Sequence, residues 1–377
     1  DDGTRIYCGT MHSLYSYNVQ TGDFERYTKT EGFSGVGISR VQFHAPSQTL
    51  IIAYDDSNID LLKDDVVYNL SQIKTASIQG SKLINNIKPK GDSVIIACDF
   101  GVVILDVKNR VIKTDVKFSD DVAFANTRCY DGEFYNGFYY FATSEGVYRV
   151  SSNVNIKNLN NWVKLPMFTN GHYNNIERYN NKLYLNYSGK LTSGFPNADT
   201  LLTFDGTNRT VVATGNTKTI NDLHAENGIL CVVYPDEMRA LNTAENTVFS
   251  QSGCFTDARQ ATLDNQGAVW LAENKFGAFK TTASSCNIFV MDGPFTANVY
   301  DIEIQIRNVF HQYNPLPSAG QCRKKMCGIY FEGGDIDSIW YFGDPPIGTG
   351  LFEVTRHQVS VIPRDNHRIN CLSMLQI

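Results

Sequence analysis

Short apolar runs recur along this chain, and most are closed by a tight polar turn. Leu50-Ile51-Ile52-Ala53-Tyr54, Val94-Ile95-Ile96-Ala97-Cys98, Phe138-Tyr139-Tyr140-Phe141-Ala142, Ile229-Leu230-Cys231-Val232-Val233 and Ala268-Val269-Trp270-Leu271-Ala272 are β-branched or aromatic and too short for helices. Each predicts a buried strand. A turn and a second strand follow, as where Asp99-Phe100-Gly101 precedes 102–107 and Ser144-Glu145-Gly146 precedes 147–150. Glycine supplies the left-handed backbone that such hairpins need. With this turn as a ruler, Ser13, Asn58, Gly101 and Gly146 stand 45, 43 and 45 residues apart.

A second marker precedes each unit, apolar, polar, polar, apolar: Ile38-Ser39-Arg40-Val41, Ile84-Asn85-Asn86-Ile87, and Ile220-Asn221-Asp222-Leu223. Asn174-Asn175-Ile176-Glu177 and Val299-Tyr300-Asp301-Ile302 are variants of it. Four strands in a repeat of about 44 residues make the blade of a β-propeller. A sandwich would not hold this period over six units, a β-helix would use shorter coils, and no window carries helical spacing. The fold expected is therefore all-β, a seven-bladed propeller of four-stranded blades.

Residues 5–30 supply the outer part of the first blade, whose inner strand falls before Asp1. Blades then start at Ile38, Ile84, about Arg128, Asn174, Ile220 and Ala258, so 1–298 is the propeller domain. Residues 299–377 read as partial further units, the start of a second propeller, with an irregular insertion over 306–335 that carries Pro315, Pro317, Cys322 and Cys327. The rhythm breaks off within a unit. On this count the chain reads as an excerpt of a longer one.

Composition narrows the classes. Of 377 residues 42% are hydrophobic and 19% charged, and 33 basic against 39 acidic side chains leave −6. That balance excludes a polyanion-binding footprint, so no nucleic-acid partner is expected, and no apolar run is long enough for a transmembrane helix. Nine cysteines without a C-x-x-C argue against a disulfide scaffold and a zinc ribbon. Cys8, Cys98 and Cys231 read as small buried hydrophobes. The sequons at Asn69, Asn186 and Asn208 read as exposed turns.

Catalytic constellations are not found. The seven histidines are scattered without metal-binding spacing, and His311 with Cys322 and Cys327 lacks a fourth ligand. Gly32-Phe33-Ser34-Gly35-Val36-Gly37 precedes a strand rather than a helix, which fits neither a nucleophile elbow nor a phosphate loop. In Asp264-Asn265-Gln266-Gly267-Ala268-Val269-Trp270 the Asp and Gly are expected to close a hairpin, with Trp270 packed between neighbouring blades. No catalytic residue, metal or cofactor is expected.

The repeat strings are similar to known propellers. Residues 264–272 followed by Gly277 resemble the repeat of two-component-regulator propellers. Leu14-Tyr15-Ser16-Tyr17-Asn18, Phe24-Glu25-Arg26-Tyr27, Glu31-Gly32-Phe33-Ser34, Asn58-Ile59-Asp60-Leu61-Leu62 and Asp99-Phe100-Gly101-Val102-Val103 resemble the N-terminal propeller of the PorZ family of type IX secretion proteins. That resemblance spans roughly residues 1–305. It implies an exported, non-catalytic binding component at the outer-membrane surface, which binds anionic lipopolysaccharide and assists a PorU-like sortase. The alternative is the periplasmic ligand-sensing propeller of a hybrid two-component histidine kinase.

Propeller geometry also suggests a site. Turns between second and third strands share one rim with the connections between blades, which gathers Tyr54, Asp99, Phe100, Glu145, Glu273, Lys275 and Phe276 with Lys82, Arg128 and His172. Mixed aromatic and charged groups of this kind suit a glycan or a protein partner.

Overall fold

The computed structural model describes residues 3–189, 198–212 and 218–289, together with four strands further along, at Lys325–Met326, Ser338–Phe342, Leu351–Thr355 and Gln358–Ile362. The chain divides into two compact units, Asp1–Gly293 and Pro294–Ile377. In the first, seven antiparallel sheets follow one another in sequence order, six of four strands and the first of three. This is the seven-bladed propeller. The second unit holds one four-stranded antiparallel sheet in which Ser338–Phe342 and Leu351–Thr355 are the central strands. The irregular stretch 306–335 lies, apart from Lys325–Met326, outside the described residues, as does His311.

Blade 1 consists of Arg5–Gly9, Leu14–Asn18 and Phe24–Tyr27. Blades 2 to 7 open on the inner strands Ile38–His44, Ile84–Lys90, Cys129–Tyr135, His172–Tyr179, Asp222–Glu226 and Ala258–Leu263. Each start falls within two residues of the position that the marker predicted. The three strands of blade 1 occupy the second, third and fourth places, because Ile38 N–H donates to Thr10 O just as Ala258 N–H donates to Pro235 O after the second strand of blade 6.

Apolar faces sealed between neighbouring blades form the core. Ile51, Ile59 and Leu61 of blade 2 pack with Ile87, Val94 and Ile96 of blade 3, and the pattern repeats around the ring. The last blade meets the first: the Trp270 ring lies 5.4 Å from that of Tyr17, tilted by 43°, and Asn265 Nδ2 donates to Gly3 O at 2.8 Å. Asp264, fully buried, accepts from Ala268 N–H and from Trp270 Nε1–H, both at 2.9 Å, so it closes the hairpin and fixes the indole at that seam.

The polar pair inside the marker has a structural cause. Inner strands of blades 2, 3, 4, 5 and 7 carry a β-bulge at this point, where one residue, or two in blade 5, drops out of register and the side chain is re-aimed. Asn85 at its bulge, Asp131 beside one, and Asn221 and Asp222 at the same place in the unbulged blade 6 stitch each blade to the next. Asn85 Nδ2 reaches Cys129 O at 2.8 Å, Asn221 Nδ2 reaches Ala258 O at 2.6 Å, and Asp131 and Asp222 accept from Ile176 N–H and Ala261 N–H, each at 2.9 Å. The far end of the inner strand repeats the device: His44 Nε2 lies 2.8 Å from Gly91 O, Tyr135 donates to Asn181 O at 2.6 Å and Tyr179 to Gly228 O at 2.7 Å.

Two sequence expectations are corrected. Cys254 and Cys286 form a disulfide that ties the entry of blade 7 to its outer strand, so cysteine is used as a staple after all. Spacing could not show this, because the two lie 32 residues apart with no motif around them. Asn186 is buried rather than turn-exposed, its amide held by Asp199 Oδ2 at 2.9 Å.

Candidate binding site at the propeller mouth

Backbone bonds put the second-to-third strand turns and the blade connections on one rim. Asp55 N–H donates to Gly37 O at 2.8 Å, Asp99 N–H to Leu83 O at 3.0 Å, and Ser144 N–H to Arg128 O at 3.0 Å. Arg128 N–H returns a bond to Ser144 Oγ, also at 3.0 Å, which clamps the entry of blade 4. The next residue but one, Tyr130, is the bulged residue of that inner strand.

Four of the sequence-predicted residues gather around this half-buried tyrosine. Its ring lies 5.8 Å from that of His172, tilted by 30°. Burial pushes its hydroxyl above the ordinary tyrosine range, Arg128 opposes the shift, and the carboxylates of Asp99 and Glu145 add to it, so all three charges are close enough to act. Asn85 Nδ2 holds Asp99 Oδ1 at 3.0 Å. The result is a small aromatic platform flanked by one cation and two anions, which can stack on a flat apolar group and hydrogen-bond polar groups around it.

Other predicted residues are spent on structure. Tyr54 is buried, and its hydroxyl donates at 2.7 Å to Asp60, which also accepts from Ser34 N–H and Ser34 Oγ–H. Phe100 lies in the core between blades 2 and 3. Glu273, also buried, accepts from the N–H groups of Lys275, Phe276 and Asp257 and so shapes its own turn. The Lys82 ammonium is bound by the carbonyls of Lys74 and Ala76. Lys275 and Phe276 are exposed on the rim at blade 7, with no recorded contact to the Tyr130 group. Tyr130 itself was missed, since in the sequence it looks like any strand aromatic. The periodic place of the polar pair could have singled it out.

Below the mouth the channel is charged. Lys88 of blade 3 pairs with Glu177 of blade 5 and lies 3.9 Å from Asp131 of blade 4. Burial raises the Asp131 carboxyl to about 6 against the pull of Lys88, and burial with the Glu177 charge pushes Glu133 up to about 8. No group of three or more metal-ligating side chains comes together among the described residues.

The mouth belongs to a seven-bladed propeller, and known proteins show which propellers it resembles. Residues 6–163 match the model of the PorZ N-terminal β-propeller domain of the type IX secretion system, so the resemblance read in the repeat strings is borne out over that stretch. Among solved structures it is similar to PorZ, described as an essential bacterial surface component of the type IX secretion system of Porphyromonas gingivalis. That match has 14% identity and a TM-score of 0.65, and covers 97% of this chain and 51% of the PorZ chain. The chain thus spans about half the length of that relative. The Cps50 (Swd1) propeller of Myceliophteria thermophila shares the fold at 8% identity and a TM-score of 0.53, covering 74% of this chain and 92% of that one. No curated protein matches the chain in sequence. Among the described residues no helix is long and apolar enough to cross a membrane.

Proposed function

We propose that this propeller is a non-catalytic binding component of a type IX secretion system, displayed at the outer-membrane surface, where it binds anionic lipopolysaccharide and assists a PorU-like sortase. The observation that carries the reading is the match of residues 6–163 to the PorZ N-terminal propeller. The disulfide between Cys254 and Cys286 supports export, because such bonds persist in oxidising compartments. The mouth around Tyr130, with Arg128 as its exposed cation, is the contact site in this reading. Lys275 and Phe276 form a second, separate contact on the same rim.

The test is surface plasmon resonance of the purified protein against immobilised PorU-type sortase and against vesicles carrying anionic lipopolysaccharide. Saturable binding to either that is lost on Arg128→Ala supports the proposal. No binding to both removes it.

A further inference from the structure

The connections on the mouth-side rim are not ordinary solvated loops over the arc from blade 1 to blade 4. Three of them, and the turn of blade 1, present large apolar side chains to water: Met11 in the turn is 72% exposed, Val36 54%, Leu83 40% and Val122 92%. The first three stand on one belt of hydrogen bonds. Gly37 N–H donates to Met11 O at 2.8 Å, Asp55 N–H to Gly37 O at 2.8 Å, Ser57 Oγ–H to Lys82 O at 2.8 Å, and Asp99 N–H to Leu83 O at 3.0 Å. Asn85 then bridges Asp99 to Cys129 O. The segment bearing Val122 is held rigidly, with Phe118 and Phe124 buried on either side of it and Asp121 Oδ1 accepting from Ala123 N–H at 2.8 Å. Apolar side chains exposed on a backbone this fixed are available to a partner at little ordering cost.

Charge decides the kind of partner. Asp55, Asp99, Asp120, Asp121 and Glu145 stand along this arc at least partly exposed, and none forms an ion pair among the described residues. Its basic groups are mostly occupied: Lys74 is bound to Asp56 at 2.6 Å, Lys82 to two backbone carbonyls, Lys117 lies 4.0 Å from Asp115 and Lys164 sits over the Tyr148 ring, while Arg128 is exposed. We propose that this arc, from Met11 to Glu145, docks a peptide segment in which basic residues alternate with apolar ones. The apolar side chains would cover Leu83 and Val122 while the cations meet the acids between them. The inference rests on the reading as a binding module and names a partner chemistry for part of its rim.

The probe is a short fluorescein-labelled peptide of alternating Lys and Leu, titrated into the purified protein by fluorescence anisotropy. Peptides with Ser in place of Leu, or Glu in place of Lys, are expected to bind at least about tenfold more weakly. The pair Leu83→Ser with Val122→Ser should cost about tenfold for the Lys-Leu peptide, while Val66→Ser with Val111→Ser, also exposed but on the opposite rim, leaves binding unchanged. Equal losses in both pairs, or no discrimination among the peptides, overturns the assignment. Light scattering showing a dimer that Leu83→Ser with Val122→Ser dissolves also overturns it, since a second copy would then cover the arc. Failure of these titrations with sortase or vesicle binding intact removes only the peptide assignment, and leaves the function proposed above standing.

Discussion

Lys88 and Glu177 form an ion pair although a whole blade stands between them. One projects from blade 3 and the other from blade 5, so the pair crosses the channel and draws in Asp131 of blade 4 at 3.9 Å from the same ammonium. Three inner strands are thereby locked by a single cation. Lys88→Met removes the counter-charge from buried carboxylates and is expected to cost about 3–5 kcal/mol. Thermal or urea unfolding measures it, and a neutral Lys88→Met would mean the carboxylates are solvated through the channel.

Stability should also depend on pH through the same cluster. Asp131 is raised to about 6 and Glu133 to about 8, each above its ordinary range, so the folded state binds their protons more tightly than the unfolded state does. Their contribution is complete at low pH and is lost as pH rises through the folded values. The melting temperature is expected to fall from about pH 5 to 8, and Glu133→Gln should flatten the upper part of that fall. Differential scanning calorimetry across the range checks both. A melting temperature that climbs over this interval in the parent protein would contradict the assignment.

Reduction should loosen blade 7 first. The Cys254–Cys286 bridge closes a loop with a sequence separation of 32, worth about 3–4 kcal/mol in the chain-entropy account. Cys254→Ser with Cys286→Ser is expected to lose most of that in urea unfolding, and hydrogen exchange should rise in 253–289 before other blades. Uniform exchange across the ring would show that the staple acts globally.

Asp60 anchors the glycine-rich connection that looked like a loop with chemistry. Ser34 gives it a backbone and a hydroxyl bond at 2.7 Å each, and Tyr54 and Asn69 complete the set at 2.7 and 2.9 Å. Asp60→Ala strands these donors and should destabilise by about 2–4 kcal/mol, whereas Ser34→Ala, which keeps its backbone bond, should cost about 1 kcal/mol. Denaturant midpoints separate the two.

Much of this architecture was legible in the chain, and the reasons are local. A buried strand must be apolar on both faces when blades cover it, so runs such as 94–98 announce themselves. The polar pairs at Asn85-Asn86 and Asn221-Asp222 recur because this end of an inner strand needs side chains that can bond the next blade, and they mark blade starts for that reason. The site was half legible. Turn position placed Asp99, Arg128, Glu145 and His172 together, but it could not tell that Tyr54 faces Asp60 or that Phe100 enters the core, because exposure at a turn depends on which neighbour leans over it. The disulfide was invisible, since Cys254 and Cys286 approach only through the folding of blade 7.

The most direct test of the mouth as the contact site is binding by Tyr130→Ala combined with Arg128→Ala. Both side chains reach solvent and neither fills the core between blades, so the melting temperature should stay within about 2 °C of the parent. The account predicts at least about a tenfold loss of affinity for the PorU-type sortase or for vesicles of anionic lipopolysaccharide. Unchanged binding of both partners by a folded double variant would contradict it.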